Sequence, residues 1–163
     1  MRVPARDGNG GTIALWLRAY LGEAWDDHWV CEYWSGREAR WCRSDAQLDE
    51  VTRVARGVTF DTANVPRDRS LTAGEAWLRC RADNDRPERF GHGDTNGLWF
   101  MKVNAVRDAF AVDNRETTAW DRWPEAPPEL RTVSHDEIAA LDTLSRNPEQ
   151  PVEWLPSWLS GVA

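Results

Sequence analysis

Lysine is almost missing from this chain: Lys102 stands alone, and the other 19 basic residues are arginines, a bias that reflects a GC-rich genome more than arginine chemistry. Basic charge as a whole is in deficit, with 27 acidic against 20 basic residues and a net charge of −7. Phosphate neutralisation dominates nucleic-acid affinity, so an acidic chain without a basic run excludes DNA or RNA as the default partner. Long apolar runs are absent too. The longest, Ile13–Leu17, is far short of the roughly 20 residues of a membrane span or the about 7–15 of a secretory signal. Three cysteines at irregular spacing are too few for a secreted disulfide framework. No Cys-x-x-Cys or spaced histidine pair accompanies them, so neither a metal nor another cofactor is expected. These absences predict a cytoplasmic protein that binds neither nucleic acid nor membrane.

What is present suffices for one domain over residues 1–163: 41% of the residues are hydrophobic. Eleven are tryptophans, which serve either as core side chains or as the walls of an apolar small-molecule pocket. Thr12–Tyr20 carries the apolar run and reads as strand or helix alike. His28–Trp34 and Arg40–Asp45 flank a turn and read as a hairpin. Helical spacing follows at 46–56, 72–82, 98–110 and 135–146, with capping boxes Thr72/Glu75 and Ser134/Glu137 opening the second and fourth. Residues 61–70 and 83–97 read as loops, and Trp154 and Trp158 as packing a proline-broken tail on the body. The fold class is therefore α+β, a small antiparallel sheet flanked by helices.

A two-residue turn at Gly36–Arg37 pairs residues whose numbers sum to 73. It sets His28 across from Asp45, Glu32 across from Trp41 and Trp34 across from Ala39 on one face. Cys31 and Cys42 then face each other, buried, on the opposite face. A carboxylate on one imidazole nitrogen is the arrangement of a general base. Cys80 falls on a core stripe, and His92 and His135 read as solvated.

These residues resemble the bacterial transglutaminase-like family. The similarity runs through Asp27–Trp34, Ser44–Glu50, Val65–Asp68, Ala73–Trp77 and Cys80–Arg81. It continues through Phe90–Gly91, Gly97–Phe100, Asn104 with Arg107–Asp108, and Trp120–Asp121, covering about 25–123. The resemblance implies a transglutaminase-like (papain-like) core with His28 and Asp45 as its catalytic histidine and aspartate. The family's nucleophilic cysteine lies on a helix upstream of that histidine, whereas Met1–Arg6 resembles the segment after the helix and no cysteine precedes Cys31. Val103 and Ala119 also depart from the pattern, standing where glycine and proline are usual.

The expectation is a truncated, departed enzyme without a cysteine nucleophile, which uses His28 and Asp45 for cyclisation, dehydration, proton transfer or hydrolysis. Its substrate would be a small aromatic or apolar molecule, with natural-product biosynthesis as the setting. A pocket of Trp16, Trp25, Trp34 and Trp41, with Glu32 as a polar group, would bind it. Two alternatives stand beside this: an inactive small-molecule binding module, and one half of a split transglutaminase-like enzyme. Either a second copy or a partner chain would then cover the place of the missing helix.

Overall fold

A computed structural model gives the structure of the chain and describes residues 11–20, 24–112 and 131–148. The N-terminal segment, Trp120–Asp121 and the Trp154/Trp158 tail lie outside the described residues. The expected α+β class is found: the described residues form four α-helices and a four-stranded antiparallel sheet, with the second and third helices packed on the sheet and the fourth on those two. No helix among them is long and apolar enough to cross a membrane.

The ambiguous first segment is a strand, β1 (Gly11–Arg18). The hairpin strands are β2 (Asp26–Ser35) and β3 (Arg40–Ser44), and a short β4 (Ser70–Thr72) closes the sheet in the order β3-β2-β1-β4. Helix α1 (Glu50–Arg56) starts on the Asp49 side chain, which accepts from the Thr52 amide, and stops at Gly57 in the left-handed region. Helices α2 (Ala73–Arg81) and α4 (His135–Arg146) each open with the capping box expected of them. Between α2 and the long α3 (Leu98–Val112), the expected loop holds one 3-10 turn and a small hairpin, β5 (Gly91–His92) and β6 (Thr95–Asn96).

The β2–β3 register corrects the expected one. Trp34 pairs with Trp41 and Cys31 with Ser44, so paired numbers sum to 75. The connection is a four-residue loop, Gly36–Ala39, in which Ala39 has φ 48°. Glycine at the head of a tight turn is a preference, and it did not outweigh the cross-strand packing of Trp34 on Trp41 (ring centroids 6.1 Å apart, 74° between planes). A shift of two keeps every side chain on its expected face, because the strand period is two.

The two thiols are nevertheless not partners. Cys31 lies opposite Ser44 and is exposed; Cys42 lies opposite Tyr33 and is buried. The segment at Thr62–Val65 runs along the free edge of β3 through Asp45 N–H to Thr62 O (2.9 Å) and Val65 N–H to Arg43 O (2.8 Å). Tyr33 reaches the same segment, its hydroxyl donating to Ala63 O (3.1 Å).

The main core lies on the side of Leu15 and Leu17. Leu17, Trp25, Leu71, Trp77, Phe90, Phe100, Met101 and Leu141 form one cluster joining β1 to α2, α3 and α4. Each such side chain contributes roughly 1.5–3 kcal/mol by leaving water. On α3, Asp108 accepts from the Leu15 amide (3.3 Å), tying the helix to β1. A second, smaller cluster of Tyr20, Leu48, Val58 and Val65, with Phe60 against it, lies beside Asp45.

Candidate functional site

The opposite face of the sheet carries Trp16, His28, Val30, Glu32 and Arg43, all buried. Strand alternation puts them there: Trp16 pairs with His28 across β1–β2, and Glu32 with Arg43 across β2–β3. Asp45 follows β3 directly. In the observed register it lies on a diagonal to His28, within reach of side chains of this length. His28 Nε2 is 2.9 Å from Asp45 Oδ1.

Asp45 is held on both oxygens. Oδ1 also accepts from the Gln47 amide (3.1 Å), while Oδ2 accepts from the Tyr20 hydroxyl (2.5 Å) and faces Arg18 Nη1 at 3.5 Å. Burial works to raise the Asp45 pKa, but hydrogen bonds from His28 and Tyr20, with the charge of His28 and the Gln47 amide, outweigh it and lower the carboxyl below its ordinary value. Tyr20 moves the other way: burial, then its bond to Asp45, push the phenol well above its ordinary value. Tyr20 is therefore a neutral donor and Asp45 an ionised acceptor.

That assignment fixes the imidazole. An ionised carboxylate can only accept, so His28 must donate through Nε2–H. The neutral ring then carries its lone pair on Nδ1. No described residue bonds to that nitrogen. The geometry is that of a base whose tautomer is set from behind by a carboxylate.

The expected binding residues fare differently. Trp16 and Glu32 share the His28 face; the Trp16 ring lies under the Arg43 guanidinium (3.3 Å to the ring centroid), and its Nε1 is buried without a hydrogen-bond partner. Arg43 is anchored in turn by Ser70 O (2.7 Å) and Ser70 Oγ (3.1 Å). Trp34 and Trp41 pair at the far end of the hairpin. Trp25 belongs elsewhere: it stacks on Phe90 in the main core (5.9 Å, 21°), and its backbone bonds Arg89 and Gly91. This placement corrects its assignment to the pocket wall, for strand parity does not govern a residue preceding β2.

Arg18 and Tyr20 are the residues that sequence reasoning missed. They come from the end of β1 and the residues beyond it, the segment whose period left strand and helix open. None of the three cysteines stands on the His28 face: Cys31 and Cys42 have the opposite parity, and Cys80 packs in the main core, with its Sγ 3.9 Å from Met101 Sδ. Among the described residues no cluster of histidine, cysteine and carboxylate groups could hold a metal ion.

No protein-family model matches the chain, and neither curated proteins nor solved structures show a match to it.

Proposed function

We propose that the protein is an acid–base enzyme that resembles a transglutaminase-like core but works without a cysteine nucleophile, acting on a small aromatic or apolar molecule. His28 takes or delivers the proton through Nδ1. Asp45 holds Nε2–H and stabilises the imidazolium that forms, while Tyr20 and the Gln47 amide keep the carboxylate in place. Proton abstraction, dehydration, cyclisation and attack by an activated water are all within reach of such a base.

The observation that carries this reading is the ionised, four-fold held Asp45 behind His28, which leaves Nδ1 as the only ring nitrogen able to accept a proton. The same saturation of Asp45 also supports a second reading, a purely binding module in which the pair is a structural knot. Turnover separates the two.

The assay is hydrolysis of p-nitrophenyl acetate together with mass-resolved conversion of a panel of small aromatic esters, amides and hydroxy acids. It is run on a Cys31→Ser background, because the exposed thiol would itself be acylated. His28→Ala should lower any turnover by about 10²–10⁴-fold, the usual share of general acid–base catalysis. Turnover that is equal in the folded His28→Ala protein, or absent with every substrate, favours the binding module.

A further inference from the structure

Arg18 brings a charge to Asp45 without bonding to it. It ends β1 two residues beyond Trp16, the ladder partner of His28, so strand parity sets it on the His28 face. Its side chain is 14% exposed, and its Nη1 lies 3.5 Å from Asp45 Oδ2. Among the described residues this is its only ion pair, and Nη1 and Nε are buried without a hydrogen bond. The carboxylate takes its bonds from other groups: His28 and the Gln47 amide on Oδ1, and the Tyr20 hydroxyl on Oδ2. The contribution of Arg18 to Asp45 is therefore charge alone.

The charged groups around His28 come in pairs. Glu32 stands directly across from Arg43, and both are buried; Arg43 also has Glu75 at 3.7 Å. Asp45 has Arg18. Asp26, the ladder partner of Arg18, is part-exposed and lies 3.4 Å from His92. Tyr20 is the neutral donor described above. With His28 neutral, the buried groups of this face then carry no net charge. Take Arg18 away, and Asp45 is left as a buried carboxylate without a counter-charge. Such a charge is costly unless paired, and the group best placed to pair it is the bonded imidazole, by taking up a proton. An imidazolium has no lone pair on Nδ1 and is no base.

We propose that Arg18 is a positioning residue of the acid–base pair: it is the permanent counter-charge of Asp45, and it lets Asp45 stay ionised without holding His28 as imidazolium. The functional meaning rests on His28 being the reacting base; the charge balance itself does not. Arginine suits this task because its guanidinium does not lose its proton in proteins. A mere fastening role has the opposite consequence. If Arg18 only kept Asp45 in place, its loss would free the carboxylate from His28 and make the imidazolium harder to form.

The test is the pH titration of His28 in the isotopically labelled full chain, followed through its imidazole resonances. In Arg18→Met the ring should keep its proton to a pH about one unit higher than in the parent, as loss of a nearby like charge does. That shift is about tenfold in the ratio of charged to neutral ring at a given pH. Arg18→Gln, which keeps hydrogen-bond donors without the charge, should shift the same way and serves if the methionine variant does not fold. Arg18→Lys should return the midpoint to that of the parent. Arg37→Gln, which removes a charge from the exposed hairpin loop, should leave it in place. A midpoint that is unmoved, or moved to lower pH, in a folded uncharged variant overturns the proposal. The pH profile of p-nitrophenyl acetate turnover on the Cys31→Ser background is read beside it, and its acidic limb should move with the titration. A shifted titration in a protein without turnover would retain the charge balance and remove the catalytic reading; turnover with an unmoved titration would do the opposite.

Discussion

His28 and Asp45 meet on a diagonal of the hairpin, with Nε2 2.9 Å from Oδ1, although the ladder pairs neither with the other. The contact survives a two-residue difference in register because the shift preserves the face, and Asp45 stands one residue beyond the strand, where its side chain can turn back.

Asp45 is the residue on which the site hangs, and Asp45→Asn should show it. The amide cannot accept from His28, Tyr20 and Gln47 together, and it leaves Arg18 without its counter-charge. Removing one partner of a buried charged set costs about 3–5 kcal/mol. Urea denaturation of the two proteins measures it; a loss below about 1 kcal/mol, the level of an exposed pair, would contradict the described burial.

The same carboxylate makes part of the stability acid-labile. Its folded pKa lies below the unfolded value, so its contribution is present above the ordinary carboxylate range and disappears as pH falls through the folded value. The stability gap between the parent and Asp45→Asn should therefore be widest near neutrality and close on acidification. A gap that is constant down to strongly acidic pH would count against an ionised Asp45.

Lys102 predicts the opposite end of the scale. Its ammonium is wholly buried between α3 and α4, 3.1 Å from Glu137 Oε1, and burial lowers its pKa although Glu137 opposes this. The unfolded chain thus binds more protons between the folded value and the ordinary lysine value, and stability should rise with pH across that interval. Lys102→Met should lack this rise. Parallel slopes for the two proteins at alkaline pH would contradict the burial effect.

Thiol chemistry should single out one cysteine. Cys31 is exposed and should react rapidly with a disulfide reagent in the folded protein, whereas Cys42 and Cys80 should wait for unfolding. Burial raises the Cys80 thiol to about 11, with Asp85 and Glu88 adding to it, so thiolate is scarce there near neutrality. Two or more equivalents reacting at the rapid rate would contradict the packing.

Two glycines test the close approaches. At Gly91, with φ 99°, a Cβ would stand 2.0 Å from Thr95 O, so Gly91→Ala must displace the β5–β6 hairpin and the Trp25 bridge, at about 3 kcal/mol or more. At Gly74 a Cβ would meet Ser145 Cα at 3.3 Å, a tighter than ordinary contact between α2 and α4 that a small shift relieves. Thermal unfolding should rank Gly91→Ala well below Gly74→Ala; the reverse order would misplace the constraint.

Much of this fold was legible from local chemistry. The capping boxes at Thr72 and Ser134 start their helices where side chain and backbone satisfy each other, which depends on four consecutive residues only. The faces of His28, Glu32 and Arg43 followed from strand parity. The register did not, because the loop length was decided by packing of Trp34 on Trp41 and by Ala39 accepting a left-handed conformation. Tyr20 and Arg18 stayed hidden for a related reason: their place at Asp45 depends on β1 pairing with β2 across a connection, and Ile13–Leu17 alone has no strand period. Trp25 read as pocket wall because aromatic composition does not say which side of a sheet a flanking residue joins.

The most direct measurement of the central claim is the tautomer of His28, read from its imidazole nitrogen resonances in the labelled protein above the pH at which the ring becomes neutral. The proton should reside on Nε2, facing Asp45, with Nδ1 bearing the lone pair, and Asp45→Asn should relax that preference. A neutral ring protonated on Nδ1 would leave its lone pair on Nε2, against Asp45, and would contradict the proposed role of the pair.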